Sequence, residues 1–545
     1  MFTKKDRWQL VHQFTLLSYL AGVTMMAKAA PAPTASVPLR GVNIMDMGIA
    51  ADHIPGTFGR NYTKPEAVAL KALADRGVQV VRLSFLWERI QPSLGGELDQ
   101  AYLGHLLQVL RDADAVGLKI IVDMHNYGRY ATVRTSPVIR SRFGDPEGPT
   151  QAQYADAWTK ISQAIKADAK AYRAIYAYDL MNEPYDLPAV PPTFVAKAPV
   201  SSFDTSAEGW KAGAATTTLE RVSRDGQGAL KITVPPTTGD GLVFNQRLEK
   251  PAQPLMITNG SALQVSGFVP ETTSGTVKAR LWMVDSRWKA VPSQIIPVTK
   301  GKPFHLDFAP PEAVWPDNTG IGLDFIVDGS DGKAPLVFYV DDVKQGALAG
   351  GMSPPQIWEA YSQAAVSAIR AQNDATLLMI EGYFFSSAAL WAQHHPRKWI
   401  NDPMDNLMYH AHLYMDNDTS GQYLKSHPEE LALSRAQGHA SPGARSVTRV
   451  KVFTDWLAAQ KTRGFVGEFG WPNSHVVGAD NAAAWDADAE QVLSFLDGVQ
   501  VGYTLWGTGS WLSPTDNILN VYQLPPSRPF LPLSPALVLE KRLKK

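Results

Sequence analysis

The stretch Ile175–Pro184, IYAYDLMNEP, is mostly apolar and aromatic through Met181 and then breaks off in Asn182, Glu183 and Pro184. An apolar strand of this kind is buried on both faces, as strands of a parallel sheet are. A strand that ends in polar residues carries them to one rim of the sheet. Before it come VQVVRLSF (78–85), AYLGHLLQVLRDADAVG (101–117), KIIVDMH (119–125) and AQYADAWTKISQAIKAD (152–168), short β-branched runs alternating with longer amphipathic ones. The alternation resumes far downstream at PPQIWEAYSQAAVSAIRAQN (354–373), followed by TLLMIEG (376–382), NLMYHAHLY (406–414), GFVGEFG (464–470) and GYTLWGTG (502–509). With GVNI (41–44) in front, this makes eight strands. Eight βα units predict an α/β fold, a closed (β/α)8 barrel whose working residues sit at the C-terminal ends of its strands.

Between the two halves the composition changes. Residues 191–350 are rich in Gly, Thr, Ser, Val and Pro, and hold short alternating runs: GALKITVP (228–235), ALQVSGFV (262–269), VKARLWMV (277–284), FHLDFA (304–309), GLDFIVDG (322–329) and LVFYVDDV (336–343). Turn residues at short intervals between such runs predict an inserted antiparallel, jelly-roll-like β-sandwich. The expected organisation is a barrel first half at 38–190, the insert at 191–350, and the barrel second half with a C-terminal tail at 351–545.

Lys plus Arg number 51 against 52 Asp plus Glu, so net charge steers the chain toward neither nucleic acid nor an anionic membrane. Fifteen Trp and 18 Tyr suit the stacking of a neutral sugar, although a large core also uses them. There is no Cys, which removes disulfides, thiolate nucleophiles and Cys-bound metals. At the N-terminus, Lys4, Lys5 and Arg7 precede the apolar FTLLSYLAGVTMM (14–26) and small residues at 27–29. This predicts an export signal over 1–29 and a linker over 30–37, the apolar run being short of the roughly 20 residues of a spanning helix. An uncleaved anchor is the alternative. The protein is expected outside the cytoplasm, extracellular or periplasmic, as a monomer.

Two glutamates end candidate strands four and seven, Glu183 and Glu468. Retaining cleavage of a glycosidic bond needs one carboxylic acid to protonate the leaving oxygen and one carboxylate to attack the anomeric carbon, about 5–5.5 Å apart. A salt-bridged rim residue is the other reading of either one. Asn182 can bond a sugar hydroxyl beside the cleaved bond. Arg82 lies in an apolar strand and needs a carboxylate, either Glu468 or, as a purely structural pair, Glu88 or Asp123. His125 ends strand three. His410, His412 and Tyr414 share one face of strand six. The His-x-His pair suits a metal, but no carboxylate pattern beside it has metal-site character, and the Tyr suits a phenol bonded to a nucleophilic carboxylate. No metal site is expected. Trp506 ends strand eight, either as the floor for a sugar ring or as packing.

On these residues the chain resembles the cellulase-like glycoside hydrolase family 5, within the wider clan of retaining (β/α)8 glycosidases. The resemblance covers roughly 38–190 and 352–515, and the family pattern falls on Arg82, His125, Asn182, Glu183, His412, Tyr414, Glu468 and Trp506. It implies Glu183 as acid/base and Glu468 as nucleophile, with no cofactor, and leaves His410 behind the site. FLWERIQPSLGGELDQAYL (85–103), HNYGRY (125–130), LYMDNDTSG (413–421) and RGFVGEFG (463–470) are similar to the branch holding many secreted endo-β-1,4-glucanases, which implies a β-glucan substrate. Where that branch has a Gly-Asn-x-Trp segment after strand five, this chain reads EGYFFSS (381–387), with Tyr383 and Phe385, and Trp471 stands where small residues are usual. The sugar platforms are therefore expected to differ, and with them the preferred glycan: mannan, xyloglucan and microbial exopolysaccharide stay open, as do transglycosylation and a polysaccharide-binding protein with an inactive barrel. The insert resembles carbohydrate-binding modules, with Trp282, Trp288 and Trp315 as candidate platforms and Asp341 and Asp342 as candidate ligands of a structural Ca²⁺. Because it leaves the barrel just past Glu183, it is also a candidate wall of the substrate cleft.

Overall fold

A computed structural model describes residues 38–134, 138–249, 255, 261–285, 290–309 and 318–543. The expected export signal and linker, Trp288 and Trp315 lie outside the described residues. Eight parallel strands close into a barrel in chain order. They are β1 (Arg40–Met47), β2 (Val80–Phe85), β3 (Lys119–Met124), β4 (Ile175–Asp179), β5 (Leu377–Glu381), β6 (Leu407–Tyr414), β7 (Gly464–Gly470) and β8 (Gly502–Thr508), which pairs back onto β1. The apolar runs predicted as strands are these eight. Helices cover the outside and the barrel fills its own centre, so both faces of each strand are buried.

The insertion leaves the barrel's packing continuous. Helix α1 (Gln151–Ala167) starts in a capping box, Thr150 accepting from Gln153 N–H while the Gln153 side chain returns to Thr150 N–H. Tyr154, Trp158, Ile161 and Ile165 recur at helical spacing and form its buried stripe. Helix α2 (Pro354–Ala371), the first element after the insert, has Pro354 at its first position, and Gln356 accepts the Ser353 N–H at 2.8 Å. α2 packs on α1 despite the long gap in sequence: the Tyr361 hydroxyl donates to Pro149 O at 2.7 Å, and its ring stacks on Phe143 at 4.1 Å. Each fully buried aromatic of this kind contributes roughly 1.5–3 kcal/mol.

Val190 and Met352 exchange backbone hydrogen bonds of 2.9 and 3.0 Å at the neck of the insert. Beyond them Thr193–Ser201 pairs antiparallel with Leu336–Ala349, so the chain enters and leaves at one point. Two six-stranded antiparallel sheets follow, packed face to face over a core of their own that includes Leu230, Leu263, Leu281, Leu323 and Phe338. Phe325 and Phe338 stack across that core at 4.4 Å. Trp282 is half-buried, its indole lying over Gly322 and donating to Asp324 at 3.0 Å. Asp341 takes two nitrogens of Arg224 and Asp342 takes Lys344, so both candidate Ca²⁺ ligands already carry a cationic partner. Among the described residues no helix is long and apolar enough to cross a membrane.

Candidate active site

The barrel rim brings together the eight residues that the sequence pattern marked. Arg82 stands on β2, His125 follows β3, Asn182 and Glu183 follow β4, His412 and Tyr414 lie on β6, Glu468 on β7 and Trp506 on β8. Glu183 adopts φ +44°, a left-handed turn that breaks the strand direction just before Pro184. His412 and Glu468 are register partners because the β6/β7 pairing shifts by one residue at Gly467. The bulge aims Glu468 at the rim, and it needs glycine: an added Cβ would lie 1.2 Å from His410 Nε2. Gly467→Ala is expected to destabilise the barrel by ~2 kcal/mol or more, read as a lower denaturant midpoint for its unfolding.

Beneath the rim, Arg82 is the hub. It pairs with Asp179 at 2.7 Å, Glu381 at 2.8 Å, Glu468 at 2.9 Å and Asp123 at 3.1 Å, and donates to Asn182 Oδ1 at 2.8 Å and Asn43 Oδ1 at 3.1 Å. Of the partners read from sequence, Glu468 and Asp123 are both there. Glu88 is not: it takes Arg140, Asn126 and the Ala131 N–H instead. Four carboxylates around one guanidinium cannot all ionise freely, and burial with Asp179 alongside raises Glu381 well above the usual carboxylate range. His410 is fully buried, its Nδ1 3.0 Å from Asp179, and does not line the cleft.

The two glutamates face a common space. An oxygen of each lies within 4.8 Å of the other and of a His412 nitrogen. His412 Nδ1 pairs with Glu183 Oε1 at 2.8 Å, and the Tyr414 hydroxyl donates to Glu468 Oε2 at 2.8 Å. Burial raises Glu183 to about 7, the His412 contact opposing it and the Glu468 charge adding to it. Burial also pushes Glu468 up, but the charges of His412, Arg82 and His125 and the Tyr414 bond outweigh it and hold Glu468 below its usual value. One carboxyl is kept as an acid and the other as an anion. Asn182 spends its oxygen on Arg82, and its amide nitrogen lies 3.5 Å from His125 Nε2. His125 pairs with Asp123 at 2.8 Å and stacks on Trp506 at 5.5 Å, interplanar 7°.

The cleft above has a volume of about 520 Å³ and is walled by Tyr127, Phe384, Phe385, Trp506 and the Asp418–Gln422 loop. Among the described residues, none of the insert lines this cleft at the two glutamates. Phe384 and Phe385, 40% and 38% exposed, are its open aromatics, and Phe385 stacks on Tyr185 at 4.1 Å. Trp471 is fully buried, donates to Asp486 at 2.7 Å and forms no platform. The sequence reading passed over Glu381, Asp179 and Tyr127. The signal for the first two was there: a lone carboxylate in each of two apolar strands, MIEG and AYDL. Glu381 also supplies the carboxylate found missing beside His410 and His412, the three offering ligand atoms within 4.8 Å of one another. Within this group the Arg82 guanidinium already bonds Glu381 Oε1, and Glu183 takes His412 Nδ1.

Comparison with known proteins gives this architecture a family. The model of the cellulase family, glycosyl hydrolase family 5, matches residues 32–211 and 344–510. A protein of Phanerodontia chrysosporium named "Manganese dependent endoglucanase Eg5A" is 28% identical over 176 residues, 31% of this chain and 41% of that protein. Endo-beta-1,4-glucanase B of Emericella nidulans is 33% identical over 116 residues, 21% of this chain and 35% of the relative. The chain thus spans about two fifths or less of these relatives' length. Among solved structures, Pseudomonas stutzeri endoglucanase Cel5A in complex with cellobiose aligns with TM-score 0.52 and 21% identity over 93% of this chain and 95% of that one. The endo-beta-1,4-glucanase Xac0029 from Xanthomonas axonopodis pv. citri gives TM-score 0.51 and 20% identity over 93% and 99%. Those two likenesses carry the barrel fold, while the family model matches both halves of the barrel and more than half of the sequence, and the chain belongs to the cellulase family, glycosyl hydrolase family 5.

Proposed function

We propose that the protein is an exported, retaining, endo-acting glycoside hydrolase that cleaves β-1,4-glucan by double displacement, with Glu183 as acid/base and Glu468 as nucleophile. The observation that carries the reading is a pair of facing carboxyls with oxygens within 4.8 Å, one raised to about 7 and one held low. Inverting hydrolysis needs carboxyls about 6.5–9.5 Å apart, with room for a water between them. In the first step Glu468 attacks the anomeric carbon while Glu183 gives its proton to the leaving oxygen. In the second, Glu183 takes a proton from the incoming water and the sugar–Glu468 bond breaks. Tyr414 and Arg82 hold the nucleophile, the Asn182 amide reads a sugar hydroxyl beside the bond, and His125 backs the Trp506 ring. The chemistry is complete without a cofactor.

The kcat/KM profile on a soluble glucan is expected to be bell-shaped. Activity falls as pH rises through about 7, where Glu183 loses the proton it must donate, and falls again only below the ordinary carboxylate range, where Glu468 gains one. A rate still rising well above pH 8 contradicts the assignment. The names of the family relatives, endoglucanases, favour β-1,4-glucan as substrate. Phe384 and Phe385 on the cleft wall support the alternative of another β-glycan on the same machinery. Release of reducing ends from carboxymethylcellulose against galactomannan and xyloglucan separates them: dominant rates on cellulose support the first reading, dominant rates on another polymer the second, and none on any polymer a binding protein. We further propose that the inserted sandwich binds glycan apart from the cleavage point, Trp282 being the described candidate platform.

A further inference from the structure

Glu381 ends β5, wholly buried between β4 and β6, and its own carbonyl accepts the Trp358 indole N–H at 2.6 Å. Its two oxygens face different partners. Oε2 accepts the backbone N–H of Glu183 at 2.7 Å, and Oε1 accepts Arg82 Nη2 at 2.8 Å. Arg82 Nη1 in turn donates to Glu468 Oε1 at 2.9 Å. An unbroken line of short hydrogen bonds therefore runs from the peptide of one glutamate to the carboxylate of the other. The Glu183 side chain is tied to the same residue by a second route, since His412 Nδ1 meets Glu183 at 2.8 Å while its Nε2 lies 3.2 Å from Glu381 Oε1.

Arg82 has no electrostatic need of this carboxylate. Asp123, Asp179 and Glu468 already surround it, and a further buried acid beside them is costly. What Glu381 alone supplies is an acceptor for the Glu183 N–H. That residue sits in a left-handed conformation which a glutamate keeps only when its surroundings over-determine it. We propose that Glu381 is the positioning residue of the acid/base: it fixes the Glu183 peptide and the His412 imidazole against Arg82, and so sets the placement of the proton donor relative to the nucleophile. The inference rests on the reading of Glu183 as acid/base and Glu468 as nucleophile.

The test exploits leaving groups. Dinitrophenolate departs without protonation, so hydrolysis of 2,4-dinitrophenyl β-cellobioside does not use the acid in its first step, whereas glucan does. Glu381→Gln, which keeps one acceptor oxygen and sets a donor against either the Glu183 N–H or Arg82, is expected to lower kcat/KM on glucan about tenfold to a hundredfold and on the dinitrophenyl substrate less than about threefold. Glu381→Asp keeps a carboxyl beside Arg82 but draws back from the Glu183 N–H; it is expected to show the same selectivity and carries the test if the Gln variant fails to fold. Equal losses on the two substrates, or no loss on either, overturn the proposal. Glu183→Gln, run alongside, keeps the two questions apart: if it retains full glucan activity, the acid/base reading itself fails, whatever Glu381 does.

Discussion

Glu468→Gln is expected to lower kcat on soluble β-1,4-glucan by about 10⁴-fold, ~5.5 kcal/mol of barrier, with the thermal unfolding profile little changed. The amide is nearly isosteric but cannot form the glycosyl ester, so the loss falls on both kinds of leaving group. Arg82 and Tyr414 bond different oxygens of Glu468, so in the variant the amide oxygen can stay with Arg82 while the amide nitrogen faces the Tyr414 hydroxyl, which can accept from it. Glu183→Gln differs in kind. It removes the proton donor and leaves the nucleophile, so glucan hydrolysis should drop about 10²- to 10⁴-fold while formation of the glycosyl-enzyme from an activated aryl glycoside survives. Reducing-end and chromophore release measured on both variants read this contrast directly. Similar profiles for the two variants would mean that the roles are not divided as the electrostatics divide them.

Arg82→Met is expected to cost the barrel about 3–5 kcal/mol, because it strands four buried carboxylates in one place. Protonation would relieve part of the cost, so the variant should recover stability as pH falls, opposite to an ordinary acid-labile enzyme. The sandwich has a separate hydrophobic core, so unfolding need not be a single transition. Denaturant unfolding followed by barrel-specific tryptophan signals and by calorimetry should show the barrel transition moving and the sandwich transition fixed. A shift below about 1 kcal/mol would show that the cluster does not depend on its guanidinium.

The barrel was readable because its strands are buried on both faces, which writes them as continuous apolar runs, while amphipathic helices of different period stand between them. The insert was readable where strands alternate, as in Leu336–Val343. It was not readable at Thr193–Ser201 or Thr218–Arg224, which bury little and whose sequences, TFVAKAPVS and TLERVSR, lack a regular apolar alternation. Leu242–Leu248, with Asn, Gln and Arg in its second half, was passed over for the same reason. The site was legible where a residue stood at a strand end in a recognisable setting, as Asn182 and Glu183 do. The Glu381 carboxylate stands out in its apolar strand, but its role does not, because a single strand-end carboxylate reads as a rim residue until the barrel closes and sets it against the Glu183 peptide. The expectation that Trp471 marked an altered platform failed because its ring turns inward to Asp486, a direction that no local pattern encodes. Proximity in sequence to Glu183 does not fix where a two-stranded neck points, and among the described residues none of the insert lines the cleft at the two glutamates.

The most direct test of the double-displacement account is to trap its intermediate. The protein would be incubated with a 2-deoxy-2-fluoro-β-cellobioside bearing a good leaving group, and the labelled peptide identified by mass spectrometry. The account expects one stoichiometric adduct, on Glu468, absent in Glu468→Gln and slow to decay in Glu183→Gln. An adduct on any other residue, or turnover of an activated cellobioside to the inverted anomer with no adduct, would contradict it.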